Sequence, residues 1–280
     1  MQPLERPPVS VYVPCYNAER YIEKCIQAIL AQTYKADEII IVDDGCTDGT
    51  VDIASKYPVK IVHHGKNKGL AAGRNTGFRS ARNEFVAGLD ADCIPQPDWL
   101  EKIMGRFTDE RVAGVGGKLL EKNRDTMPDR WRSSHMVQNW GDKEAFNPNF
   151  LFGADNVYRK SCIEKAGFFN EKYRTNYEDV DIGEKLKAKG YTLIYTPDAV
   201  VWHLRTDNTR SLLRACWNWN YSNWPLTTKN VLYIFSTSPL KAVRMAAVDL
   251  ALERDVRFAL FDIRQGLYCM WRVLKAVSER

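Results

Sequence analysis

Four short β-branched runs, 10–14 (SVYVP), 38–44 (EIIIVDD), 59–64 (VKIVHH) and 84–90 (EFVAGLD), alternate with segments of helical spacing. Residues 18–31 carry Ile22, Ile26, Ile29 and Leu30 on one helical face, and two more helices are predicted over 50–56 and 69–81. Strand and helix in alternation predict an α/β domain with a mainly parallel sheet, whose ligands sit at the carboxyl ends of the strands. Acids collect at those ends: Asp43 and Asp44 after the second run, Asp90 and Asp92 after the fourth. A strand continuing through Asp90-Ala91-Asp92 would point both carboxylates the same way, and two like charges side by side call for a cation.

With 280 residues, 45% hydrophobic and 27% charged, the chain can bury one large core, or one core and an appendage. Cys15, Cys25, Cys46, Cys93, Cys162, Cys216 and Cys269 are scattered with no CxxC spacing, which predicts buried thiols in a reducing compartment and no cysteine metal site. The first residues have no apolar signal-peptide core, and no stretch reaches the ~18 uncharged apolar residues of a membrane span. The net charge of +5 is uneven: from Leu204 onward, twelve Lys and Arg face six Asp and Glu. Such a tail suits an acidic membrane surface at least as well as nucleic acid.

The segments VPCYNAERYIEKCIQAILAQTYKADEIIIVDDGCTDGT, KNKGLAAGRNTGF, LDADC, GADNVYRKSCIEKAGFFNE and NYEDVDIGEKLKAKGY follow one another in that order. Together they resemble the family 2 inverting glycosyltransferases of the GT-A fold, over roughly residues 8 to 203. The resemblance implies transfer of a sugar, with inversion, from a nucleotide diphosphate sugar to an acceptor hydroxyl, assisted by magnesium or manganese. It also implies a catalytic domain over 1–207, with its nucleotide-sugar half at about 8–92 and its acceptor half at about 93–207; outside the matched segments, 208–280 reads from its charge and spacing as a basic, aromatic-rich helical extension. Cys46 stands where the family usually has serine.

A nucleotide base needs an edge reader and a flat wall, and Pro14, Tyr16 and Asp44 are placed for these tasks. Asp44 would accept from a pyrimidine imide N–H, which favours a UDP-sugar. The competing reading is that Asp43 and Asp44 cap the helix beginning near Thr50. The basic loop before the third helix offers Lys68 and Arg74 to the diphosphate, and the resemblance adds Asn67 and Gly69 on the donor side. Lys66 reads as a solvated face, and His63 and His64 as surface histidines. By resemblance Asp92 is the direct metal ligand, while Asp90 reaches the ribose or the metal through water. Two carboxylates with phosphate oxygens and waters suit a hard octahedral ion. His203, after the last apolar run, is a third metal ligand or a structural histidine.

Inversion by single displacement needs a carboxylate opposite the leaving group, and the resemblance picks Asp179. Its neighbours Glu178 and Asp181 also suit the positive end of a helix. Asp155 and Asn156 are candidates for acceptor hydroxyls, with Glu178 on the same side. The Trp-, Arg- and Asn-rich stretch 130–150 reads as a lid or a surface insertion. In the extension, Val256, Leu260, Ile263, Leu267, Trp271 and Leu274 mark one helix face, either a cap packed on the catalytic domain or a helix lying in a membrane interface.

The expectation is therefore a metal-dependent glycosyltransferase, cytoplasmic or peripheral on the inner membrane face, acting in assembly of a cell-surface glycan or lipid-linked oligosaccharide. A sugar nucleotidyltransferase would want a glycine-rich basic loop directly after the first strand, where VPCYNAER stands. A non-catalytic nucleotide-sugar or glycan-binding module would not need Asp90, Asp92 and Asp179 together. No QxxRW motif of a processive polymerase is present, and no nucleic acid polymer is expected.

Overall fold

The computed structural model describes residues 6–225 and 227–279. Residues 1–5, where a signal peptide was sought, lie outside the described residues. The chain divides into two compact units: one runs up to Lys122 and takes in Val137–Arg205, the other comprises Asn123–Met136 and the chain from Thr206.

The first unit is built on β1 (Val9–Cys15), α1 (Ile22–Leu30), β2 (Glu38–Asp43), α2 (Thr50–Ala54), β3 (Lys60–His63), α3 (Leu70–Ser80), β4 (Phe85–Leu89), β5 (Cys93–Pro95), α4 (Trp99–Met104) and β6 (Val112–Glu121). The second unit contributes α5 (Met127–His135) before the first resumes with β7 (Ala145–Phe146), β8 (Asp155–Arg159), α6 (Lys160–Ala166), α7 (Glu178–Ala188) and β9 (Thr192–His203). The strands form one sheet in the order β3-β2-β1-β4-β8-β6-β9-β5, with β7 paired to β9. The β3-β2-β1-β4 half is parallel, as the strand–helix alternation predicts, whereas β8 inserts antiparallel to both β4 and β6.

Side-chain alternation sorts the two faces. Val11, Val13, Ile39 and Ile41 pack on one side against Ile22, Ile26, Ile29 and Trp99, while Tyr12, Ile40 and Val42 pack on the other against Phe78, Tyr158 and Ile182. A sheet covered on both faces needs continuous apolar strands, which explains why runs such as SVYVP lack polar alternation. Each such side chain contributes roughly 1.5–3 kcal/mol by leaving water. The first helix differs in one detail: Cys25 joins its buried face and Leu30 is exposed.

The second unit is helical: α5, α8 (Thr209–Tyr221), α9 (Thr228–Leu252) and α10 (Val256–Ser278). The stretch expected as a lid or insertion is thus divided, its first part being core helix. Trp131 and Arg132 of α5 are buried, with the Trp131 indole donating to Asp262 at 2.9 Å. Glu253–Asp255 turns α9 into α10, with Arg254 at positive φ. None of the described helices is long and apolar enough to cross a membrane.

Candidate active site

The acids expected at strand ends are there, but Asp90 and Asp92 do not share one strand. β4 stops at Leu89, and the Cys93 amide donates to the Asp90 carbonyl at 3.0 Å, closing a turn before β5. The two carboxylates therefore meet different partners, Asp90 the Arg74 guanidinium and Asp92 the His203 imidazole.

Asp92 meets His203 through strand register. β5 runs antiparallel to β9 with Cys93 opposite His203, and β6 runs parallel to β9 with Glu121 opposite the same residue. His203 Nε2 lies 3.1 Å from Asp92 Oδ2, and His203 Nδ1 lies 3.1 Å from Glu121 Oε1. Burial pushes His203 down, but the two carboxylates outweigh it and raise its pKa to about 9. Burial likewise pushes Asp92 up, and His203 overcomes this to hold it at about 2. Glu121 is the residue that sequence reasoning missed. Its only signal was an acid closing the apolar run GVGGKLLE, the same strand-end position as the other site acids.

Asp92, Cys93 and His203 bring ligand atoms within 4.8 Å of one another. Burial raises the Cys93 thiol well above its ordinary pKa, so it stays protonated and offers a poor ligand. Asp92, with a quarter of its side chain exposed, and His203 Nε2 are the donors that fit a divalent cation, which would have to displace the proton that Asp92 and Glu121 hold on the imidazole. Glu121 behind Nδ1 is the carboxylate that commonly orients a ligating imidazole.

Asp90 belongs to a second network centred on Arg74, which sequence reasoning assigned to phosphate. Arg74 is 1% exposed. It donates from Nη2 to Asp90 at 3.1 Å, from Nε to Glu178 at 3.0 Å and from Nη1 to the Gly153 carbonyl at 2.7 Å. Buried and bonded in this way, the guanidinium orients protein carboxylates. A Cβ at Gly153 would press on the Arg74 guanidinium. Glu178, expected on the acceptor side, is 2% exposed and serves as the arginine's counter-ion.

Asp179, the next residue, is half-buried at the start of α7. Its Oδ2 faces the Gly153 amide at 3.4 Å, and its Oδ1 accepts from the Val180 amide at 2.9 Å. Burial, with Glu178 beside it, raises its pKa to about 7, partly offset by Arg74. A carboxyl with that pKa exchanges protons readily near neutrality.

Other candidates fall in different places. Asp44 is 5% exposed; it accepts from the Lys68 and Gly69 amides at 2.7 and 2.9 Å and pairs with His64 Nδ1 at 2.7 Å. Both oxygens thus fasten the loop before α3, and α2 begins without a side-chain cap. His64 is buried between Asp44 and Thr76, unlike the exposed His63. Gly69 has φ +97°, and a Cβ there would press on Arg174, whose guanidinium also binds Asn67. Tyr16 is 55% exposed and Pro14 half-buried, leaving an aromatic ring open at the end of β1.

Asp155 and Asn156 are corrections. Asp155 is wholly buried on the Trp99 indole at 2.5 Å, and Asn156 donates to the Phe152 carbonyl at 2.8 Å. Both sit within β8 in the middle of the sheet, where no acceptor hydroxyl reaches them. Burial raises the Asp155 carboxyl to about 7, against the indole's opposing hydrogen bond.

The model of glycosyl transferase family 2 matches residues 10–170, more than half of the chain. This chain belongs to that family. It is 30% identical over 207 residues to glycosyltransferase AglE of Haloferax volcanii, covering 70% of this chain and 67% of AglE. It is 41% identical over 177 residues to the putative glycosyltransferase EpsH of Bacillus subtilis, covering 58% of this chain and 49% of EpsH, so it spans only about half the length of that relative. Among solved structures, mannosyltransferase PcManGT from Pyrobaculum calidifontis, in complex with GDP-Man and Mn2+, aligns over 99% of this chain and 75% of its own at TM-score 0.58 and 20% identity. TarS of S. aureus in complex with UDP aligns over 97% and 91% at TM-score 0.59 and 17% identity. Those structures share the GT-A type fold, and the chain is a glycosyltransferase.

Proposed function

We propose that the chain transfers a hexose-type sugar from a nucleotide diphosphate sugar, UDP-linked in the first instance, to an acceptor hydroxyl with inversion, using Mn2+ or Mg2+. The observation that carries this reading is the Arg74 network. One buried arginine ties Asp90 at the end of β4 to Glu178 and to Gly153, whose amide faces Asp179. Asp179 is thereby fixed relative to the donor-side acids, as an in-line displacement requires.

The acceptor hydroxyl gives its proton to the Asp179 carboxylate as its oxygen attacks the anomeric carbon. The bond from that carbon to the diphosphate oxygen breaks, the nucleotide diphosphate departs, and the configuration inverts. Asp92 and His203 would hold the cation, which neutralises charge on the leaving diphosphate when bound. Tyr16 supplies an aromatic face for the base. The acceptor is a glycan or lipid-linked sugar, in keeping with relatives such as the poly-beta-1,6-N-acetyl-D-glucosamine synthase of Staphylococcus aureus, 26% identical over 221 residues.

The test is a donor-hydrolysis screen over UDP-, GDP- and dTDP-sugars with Mn2+ or with chelator. Release of nucleotide from one donor class, lost with chelator, is expected. Metal-dependent nucleotide binding without turnover, on any donor or acceptor sugar tried, would favour the non-catalytic module.

A further inference from the structure

The apolar stripe of α10 predicted from spacing is exposed. Val256, Leu260, Ile263, Leu267, Trp271 and Leu274 are 60, 65, 39, 62, 51 and 56% exposed, whereas Phe258, Phe261, Asp262, Gly266, Cys269 and Val273 form the buried face. α9 is arranged alike: Leu232, Leu240, Val243 and Leu250 are exposed while Ile234, Ser238, Ala242 and Asp249 are buried. The buried faces meet where Gly266 lies against Ala242 and Ser238. Two helices of 25 and 23 residues therefore each turn an apolar row away from their own core. That is far more than the scattered exposed aliphatics of an ordinary surface.

Charge says what covers the rows. Between residues 228 and 278 eight basic side chains face four acidic ones, and two of those acids, Asp249 and Asp262, are buried. Arg257, Arg264 and Lys275 recur with helical period about a quarter turn from the apolar row of α10. A second copy would bring the same positive charges and is disfavoured. The rows are mainly Leu, Val and Ile, and their exposed aromatic members, Tyr233 and Trp271, are the residue types that sit at headgroup level in a membrane interface. We propose that the outer faces of α9 and α10 dock the enzyme on an anionic lipid surface, lying in the plane of the interface without crossing it. The apolar row enters the acyl boundary and the basic row meets phosphate headgroups.

The test is co-sedimentation of the full chain with vesicles of phosphatidylcholine alone or mixed with phosphatidylglycerol, at about 0.05 M and about 0.5 M salt. Binding should require the anionic lipid and fall by at least roughly tenfold at high salt. Leu260→Glu/Leu267→Glu, both at exposed sites, should lower partitioning by about 100-fold or more while leaving melting and lipid-free turnover unchanged. Arg257→Gln/Arg264→Gln should lower it by about tenfold on anionic vesicles only. Sedimentation velocity without lipid separates the alternative occupant. A stable dimer that Leu260→Glu/Leu267→Glu dissolves would overturn the proposal, as would binding indifferent to lipid charge or to these substitutions.

Discussion

The two units depart from the usual inside–outside arrangement in opposite ways. The catalytic unit draws charges inward: Arg74 with Asp90 and Glu178, and His203 with Asp92 and Glu121. The helical unit also buries acids, Asp249 on His135 and Asp262 on Trp131, but it turns leucines outward. Buried charge is costly unless paired, so in the catalytic unit it persists where pairing holds carboxylates in reactive positions. Exposed apolar rows are costly in water, so in the helical unit they imply a partner that removes them from it.

The sharpest way to break this contrast is at the base. Asp179→Asn should lower kcat by about 100-fold to 10,000-fold with donor affinity little changed. Near-normal turnover in steady-state assays would remove the base role from Asp179. Next in size, Glu121→Gln should weaken Mn2+ binding about 10- to 100-fold, read directly by electron paramagnetic resonance of free Mn2+. Unchanged affinity would leave His203 without a dependence on its carboxylate partner.

A pH profile probes the base in another way. Asp179 has to be ionised to accept a proton and its pKa in the free enzyme is raised to about 7, so kcat/KM should fall about tenfold per unit below that pH and level off above it. A flat profile between pH 5 and 8 would contradict the assignment.

The smallest effect belongs to the helical unit. Burial, with Asp249 beside it, raises Asp262 to about 7 against the Trp131 hydrogen bond. A raised carboxyl keeps its proton in the folded state after the unfolded chain has lost it. Its stabilisation is thus complete below about pH 4 and is lost as pH rises through about 7. Asp262→Asn, which stays neutral, should accordingly gain stability relative to wild type between pH 5 and 8, by on the order of 1–3 kcal/mol in denaturant melts. A constant difference across that range would show that Asp262 titrates normally.

Local pattern made part of this legible. The strands of the parallel half are apolar on both faces, so they announced themselves as runs, and the acids closing them marked the site. His203 and Asp92 were found singly, but their meeting depends on β5–β9 register across more than a hundred residues of chain. Glu121 was invisible for the same reason. Arg74 looked like a phosphate ligand because a basic side chain at a helix start carries no local sign of the carboxylates that occupy it. Asp155 likewise looked like an acid for acceptor hydroxyls until β8 inserted between β4 and β6 and buried it. In α10 the periodicity revealed apolar rows but not which one the fold would bury, because both faces carry large apolar residues.

Time-resolved proton NMR of the sugar released from an α-linked UDP-sugar in the absence of acceptor bears most directly on single displacement with Asp179 as base. Water then takes the acceptor's place, and the β-anomer should appear first, before mutarotation mixes the two. Initial release of the α-anomer would contradict the account.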